Sequence, residues 1–360
     1  MRTAAAYARF VSISTALRHI DRICASPLDA RTLRLQLLDV LRDAARFDAY
    51  AWMLTDPETS VGVAPLADVP CLDELPHLIG LKYRTAINRW TGLSTRRAAS
   101  LYEATGGELG RSLLWRDLLD AYGIGDVASV VYADRFGCWS FLDLWRTAEA
   151  DAFSPAEIAF LADTAPQVTT ALRRSVAQTF DMRVPDRSVR AGPVVLMLSG
   201  HLEVLAQTAE TQDLLRVLVP PAADRPPIPS SAYNVGAQLI ASETGVDSNA
   251  PSARVHVADG RWVTLRAARI GDASPVADRN IAVTIEETSP PERVDLFTRA
   301  VGLSARESEV LAHLVTGADT RELASRMFVS EHTVQDHLKS IFAKTGTKTR
   351  RTLLTRALGT

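Results

Sequence analysis

The chain has few cysteines: Cys24, Cys71 and Cys138 are the only three in 360 residues. They are too widely spaced for a metal knuckle and odd in number, so they are read as buried thiols in a reducing cytoplasm. Long apolar runs are missing too. The longest, such as Pro193–Leu198, fall far short of the roughly 18–20 residues that span a bilayer, so no membrane association is expected. The first residues lack the basic, apolar and small-residue regions of a secretory signal. The seven histidines show no HxH, HExxH or Cys/His spacing. Only His332 and His337 share a helix, and five apart they fall on different faces, so no metal and no cofactor is expected. No GxSxG, Walker loop or Ser/Lys pair occurs, which argues against an enzyme. The string Gly123-Ile124-Gly125-Asp126-Val127-Ala128 matches a dinucleotide fingerprint, but a helix precedes it and a strand follows. That order reads as a helix-to-strand turn.

What is present is a globular balance, 47% apolar and 23% charged residues, on a chain long enough for about two or three domains. The net charge of −2 conceals a polarity. Residues 292–360 hold 11 Lys and Arg against 8 Asp and Glu, a net +3, which leaves −5 on 1–291. After Asp336 come Lys339, Lys344, Lys348, Arg350, Arg351 and Arg356 with no further carboxylate. A positive end on an acidic body suits a nucleic-acid reader joined to a sensor.

Residues 1–180 read as one mixed α/β domain. Helical periodicity covers Ala4–Cys24 and Thr32–Ala45. Strands follow at Ala49–Thr55 and Val61–Leu66, around the turn Asp56-Pro57-Glu58, then a helix near 111–122. Val127–Ala133 and Cys138–Trp145 flank the turn at 134–137. Ser154-Pro155-Ala156-Glu157 starts a helix that runs to Arg174, with Ser154 capping and Glu157 closing a capping box. This order resembles a GAF domain, a six-stranded sensor fold. Trp52, Tyr83, Trp90, Trp115, Trp139 and Trp145 are candidates to line a ligand cavity there, although core packing explains them more simply. A phosphorylatable receiver would open on a strand followed by paired acids, and this chain opens on two helices. Residues 181–192 are charged and aperiodic, a linker. Residues 193–290 give strands Val194–Leu198 and Leu202–Gln207 and helices at 209–219 and 231–243. Strands Ala253–Val257, Trp262–Ile270 and Ile281–Glu286 follow. This segment resembles a degenerate PAS domain.

Residues 303–354 read as four short helices. Ser304 and Glu307 form a capping box before the stripe Val310, Leu311 and Leu314, which ends at Gly317. Thr320 is expected to cap a second helix that buries Leu323, Ala324 and Met327. A turn at Phe328-Val329 leads to Ser330, the cap of a third helix. There Val334, Leu338 and Ile341 fall at i, i+4 and i+7, one buried stripe. At ~100° per residue, His332, Asp336, Lys339 and Ala343 lie opposite, with Gln335 at the edge. Gly346 ends this helix and Thr349 begins a fourth. Two helices about a short turn, the second with a polar outer face, is the helix-turn-helix design.

The same segment resembles the LuxR-type DNA-binding domain. The matching elements are Leu303-Ser304-x-Arg306-Glu307-x-Glu309-Val310-Leu311, Gly317, Glu322-Leu323-Ala324, Val329-Ser330-x-x-Thr333-Val334, His337-Leu338, Ile341-Phe342-x-Lys344 and Arg350. It departs at Thr320-Arg321, at Gln335, and at Thr345 and Thr347 in the usual Leu-Gly-Val. The three resemblances together describe a multidomain chain: an α/β GAF-like domain (1–180), a linker (181–192), an α/β PAS-like domain (193–290) and an all-α four-helix helix-turn-helix domain (292–360). The LuxR-type resemblance is specific about residues. It implies that Gln335, Asp336 and Lys339 face base edges in duplex DNA. Ser330, Thr333, His337, Lys344, Thr349, Arg350 and Arg351 would lie near phosphates. Leu353, Leu354 and Leu358 would supply the contact of a homodimer. A small-molecule ligand in the N-terminal domain, RNA polymerase or another protein are further partners it admits. A signalling enzyme, or a scaffold retaining the helix-turn-helix for protein contact, are the competing readings. Salt-dependent DNA affinity separates the scaffold from the regulator, because phosphate contacts release counterions.

Overall fold

The computed structural model describes residues 2–93, 95–181, 194–218, 229–257, 260–272 and 275–359. The expected linker at 181–192 therefore lies, apart from Asp181, outside the described residues. The chain divides into two compact units. The first comprises Met1–Leu172, Arg190–Val255 and Val263–Glu286; the second comprises Arg173–Val189, His256–Trp262 and Glu287–Thr360.

The first unit contains two sheet-bearing α/β domains. Its chain opens with α1 (Arg2–Ala25) and α2 (Ala30–Ala45). Asp29 caps α2 by accepting from the amides of Arg31 and Thr32. β1 (Ala49–Thr55), β2 (Gly62–Asp68), β3 (Ala98–Ser100), β4 (Ile124–Asp134) and β5 (Gly137–Thr147) form a sheet in the order β2-β1-β5-β4-β3. Neighbouring strands in it are all antiparallel. Between β2 and β4 run α3 (Leu75–Arg84), α4 (Leu101–Thr105) and α5 (Leu113–Asp117), and α6 (Pro155–Gln178) follows β5.

The sheet has five strands among the described residues, not the six expected from the GAF resemblance. Neither α3 nor β3 is announced by periodicity. The helix read at 111–122 is two pieces, α5 and a 3-10 turn at Leu119–Tyr122, because Leu118 (φ −148°) breaks the helix between them.

The 123–128 string is indeed a helix-to-strand turn. Gly123 takes a left-handed φ of +64° and leads into β4, and a Cβ on Gly125 would come within 2.7 Å of Ala148 Cα. Asp126 is fully buried and accepts from Ser100 Oγ and the amides of Tyr102, Val127 and Phe153 at 2.7–2.9 Å. It is thus a structural tie for three chain segments, with no phosphate-binding geometry about it.

The second sheet repeats the topology. β6 (Val194–Leu198), β7 (Val204–Gln207), β8 (Ser252–His256), β9 (Trp262–Ile270) and β10 (Asn280–Glu287) lie in the order β7-β6-β10-β9-β8. Both sheets therefore run second, first, fifth, fourth, third. α7 (Ala209–Leu218) and α8 (Ser230–Glu243) connect its second and third strands. α8 is buried on every side from Ser230 to Gln238, as a helix packed between layers must be, and it contacts α3 and β2 of the first domain. Two buried ion pairs complete this junction. Arg254 reaches Asp56 at 2.7 Å and Arg89 reaches Asp247 at 2.7 Å.

The second unit is helical: α9 (Pro290–Val301), α10 (Ala305–Val315), α11 (Thr320–Met327), α12 (Glu331–Thr345) and α13 (Arg350–Leu358). α9 is not anticipated by the sequence reading. It carries a Ser289/Glu292 capping box and ends at Gly302, φ +73°. It buries Leu296 and Phe297. Phe297 meets Phe180 edge-on at 5.3 Å, and Phe180 stacks on Trp262 at 5.7 Å. Three distant stretches of chain thus share one aromatic cluster in this unit.

Candidate nucleic-acid interface

α10, α11 and α12 form where the capping chemistry places them. Ser304 accepts from the Glu307 amide, and Glu307 answers by accepting from the Ser304 amide at 2.6 Å. At α11 the cap is Asp319, which makes a full capping box with Glu322; Thr320, expected in that role, is the first helical residue. The carboxylate is the better acceptor for the helix-start amides. Thr320 instead accepts from Arg350 Nη2 at 2.5 Å, which joins α11 to the start of α13. Phe328 ends α11 in the left-handed region, φ +55°, and is 94% exposed.

Ser330 caps α12 by accepting from the Thr333 amide at 3.1 Å. Val334, Leu338 and Ile341 are buried as one stripe, which fixes the rotation of the helix about its axis. Gln335, Asp336 and Lys339 consequently lie on its exposed side, together with His332. These groups form a small network. Lys339 Nζ lies 3.1 Å from Asp336 Oδ1, and His332 Nε2 lies 3.6 Å from Oδ2. The hydrogen bond from Lys339 holds the Asp336 carboxyl below the ordinary range.

The residues expected near phosphates divide into two groups. Arg351 and Thr349 are exposed and His337 half-buried, while Ser330 and Thr349 spend their oxygens on caps. Lys344 is exposed, but its ammonium is engaged within the unit. Its Nζ lies 2.6 Å from Glu307 Oε2, and Glu307 is only 4% exposed. Ser340 Oγ donates to the other carboxylate oxygen at 2.6 Å. Burial pushes the Glu307 carboxyl up, but Lys344, then Ser340 and the Ser304 cap, outweigh it and hold it at about 2. Glu307 therefore does two jobs, capping α10 and anchoring α12. Sequence showed the first through its spacing from Ser304 and gave no sign of the second, across 37 residues.

Of the leucines expected at a dimer contact, Leu353 is fully buried. α13 packs on α9, so that side chain is already spent within the unit, while Leu354 and Leu358 are half-buried. Arg356 pairs with Asp181 and donates to the Thr345 carbonyl.

The departures at Thr345 and Thr347 also acquire a reason. Both are buried, at 4% and 6% exposure. Their hydroxyls bond each other at 2.9 Å, and Thr345 Oγ1 lies 2.8 Å from the Ile341 carbonyl. A mutually satisfied hydroxyl pair here replaces an apolar pair. Thr345→Leu or Thr347→Val alone should cost about 1–3 kcal/mol, and the double substitution should come out at least ~1 kcal/mol below their sum. Chemical denaturation of the three variants measures this; additive losses would remove the pairing as the explanation.

Residues 301–357 match the bacterial regulatory proteins of the luxR family. The C-terminal helical domain is thus similar to the LuxR-type domain over this stretch. A 48-residue stretch is 44% identical to the spore germination protein GerE of Bacillus subtilis (strain 168), which is 13% of this chain and 65% of that protein. The chain thus spans less than two thirds of that relative's length. Structures of VqmA also align. The Vibrio cholerae dimer without target DNA gives 18% identity, covering 47% of this chain and 83% of that one, with a TM-score of 0.18. VqmA bound to DPO gives 20% identity, 46% and 81% coverage and 0.18. The VqmA–ligand–DNA complex gives 21%, 47% and 82%, and 0.20. At TM-scores of that size the likeness carries no weight for the arrangement of this chain. Within the matched stretch α12 is the element with an outward polar face.

Proposed function

We propose that the whole chain is a sequence-specific, DNA-binding transcription regulator, controlled by a ligand or partner at its two sheet-bearing domains. The observation that carries this reading is the orientation of α12. Its apolar stripe is buried, and Gln335, Asp336 and Lys339 stand outward. A Gln amide pairs bidentately with adenine, Lys reaches guanine O6 and N7, and Asp accepts from cytosine N4. In this reading 1–180 is the GAF-like sensor, 193–290 the PAS-like domain and 292–360 the DNA reader, with 181–192 between. The protein acts in the cytoplasm as a homodimer on an inverted repeat and catalyses no reaction. Leu354 and Leu358 are the leucines of α13 left for a partner, and Ser330, Thr333, His337, Arg350 and Arg351 lie along the backbone. RNA polymerase or another protein is a further partner.

The test separates specifying from merely holding contacts. Lys339→Ala should cost about 1–3 kcal/mol of DNA affinity and flatten preference at one base pair per half-site. Affinities of the full chain for single-base variants of a selected operator, taken at several salt concentrations, decide the matter. A uniform loss with base preference intact would mean that Lys339 touches only phosphate. Affinity independent of salt would sink DNA binding itself and favour a scaffold.

A further inference from the structure

Helix ends in this chain follow a rule that one of them breaks. α4, α9, α12 and α13 each close on a residue in the left-handed region, and at all four it is glycine: Gly106, Gly302, Gly346 and Gly359. α11 closes in the same conformation, φ +55° and ψ +44°, on Phe328. A Cβ in that region crowds the following carbonyl, so an aromatic residue is strained there and glycine is not. The cap itself asks nothing of the ring. The Phe328 amide donates to the Ala324 and Ser325 carbonyls, and the Val329 amide to the Ala324 carbonyl at 3.0 Å, all through backbone atoms. The core does not use the ring either. Phe328 is 94% exposed, while the next most exposed large apolar side chain among the described residues, Leu205, stands at 51%. A phenyl ring left in water forgoes the burial that is its main contribution to a fold. Strain and exposure together mark a side chain whose partner lies outside the chain.

Position says what that partner is. Phe328 stands two residues before Ser330, the cap of α12, the helix whose outward side carries Gln335, Asp336 and Lys339. In a helix-turn-helix the N-terminal residues of the second helix reach base edges in the major groove. Among the base edges there, the apolar group is the 5-methyl of thymine. A phenyl ring makes no base hydrogen bond, so this methyl is the group through which it reads sequence.

We propose that Phe328 is a specificity-determining residue whose ring covers a thymine methyl in each DNA half-site. The role rests on the DNA-binding reading above and adds one apolar contact to the polar ones of α12. The test uses the full-length chain and an operator selected from random duplex DNA. Phe328→Gly should be no less stable to urea than the native protein, since it relieves the strain, yet bind the operator about tenfold more weakly. The slope of log affinity against log salt should not change, because no phosphate contact is removed. Each thymine of the half-site is then replaced in turn by deoxyuridine, which lacks only the methyl. The native chain should weaken about fourfold at one position, and Phe328→Gly should ignore that replacement. Phe328→Asn, which also tolerates the left-handed region, should behave like Phe328→Gly and so separates loss of the ring from a loosened turn. Equal operator affinity of the native chain and Phe328→Gly, a methyl dependence that survives in the variant, or a loss of stability would each overturn the role. Full DNA affinity combined with weaker transcription by added RNA polymerase would assign the ring to a protein partner instead. All of these outcomes leave the DNA-binding reading standing, whereas a native chain with no affinity for DNA removes that reading and this role together.

Discussion

Asp56→Ala should destabilise the protein by about 3–5 kcal/mol, the usual cost of stranding one half of a buried charge pair. Asp56 is 1% exposed and accepts from the amides of Glu58 and Thr59, from the Arg254 amide, and from Arg254 Nε and Nη2 at 2.7 and 2.8 Å. In sequence it is the first residue of a turn between two strands. In the structure that turn is the joint through which the second sheet-bearing domain is attached. Removing the carboxylate leaves the Arg254 guanidinium its contact with Glu58, at 3.1 Å and 55% exposed, where solvent screens the attraction. Arg254→Met on the same background should recover part of the loss, because the stranded charge goes with it. Urea unfolding of the full-length variants measures both. If the two single losses simply add, the pair is not coupled and the joint is held by α8 and the Arg89–Asp247 pair.

The second large effect lies in the LuxR-type domain. Glu307 has a carboxyl pKa of about 2 against an ordinary 4.5. A lowered folded-state pKa means that the unfolded chain binds the proton first. The stabilisation is therefore complete above pH 4.5 and disappears as pH falls toward 2. At 1.36 kcal/mol per unit, and reduced by solvent screening at the exposed Lys344, it amounts to about 1–3 kcal/mol. Glu307→Gln should remove that dependence between pH 4.5 and 2 and weaken the packing of α10 on α12. Lys344→Ala should lose part of the same stability in addition to any weakening of DNA binding, since its ammonium serves Glu307 in the free protein. The methyl resonances of Val310, Val334 and Ile341, followed through urea titrations at several pH values, report this domain separately from the rest. An unchanged pH profile in Glu307→Gln would assign the acid sensitivity to other carboxylates.

These two sites mark the division between what the amino-acid sequence determines here and what tertiary structure decides. Local order was legible. β1, β6 and β9 begin and end where their alternation and β-branched content place them. The Ser154/Glu157 box starts α6, with the carboxylate 2.8 Å from the Ser154 amide. The i, i+4, i+7 stripe of α12 set which side of the helix faces out. All are contacts within four residues or repeats along one element, which spacing alone encodes. What escaped was either too short to show a period, such as β3 with three residues, or defined by its neighbours. α3 is a case of the second kind, whereas α9 carries a local start, Ser289-Pro290-Pro291-Glu292, like that of α6, and only its packing partners are hidden in the sequence. α3 packs on α8, and α9 takes its aromatic partners from Phe180 and Trp262. Asp56 with Arg254, Glu307 with Lys344 and Leu353 beneath α9 belong to the same class. Each is an ordinary turn acid, capping acid or amphipathic leucine in the sequence, and its role appears only when a residue 37 to 198 positions away, or another helix, is brought against it. A one-dimensional pattern holds no distance between such residues. Burial supplies it, because a charge or hydroxyl removed from water must find its partner wherever the fold has put one.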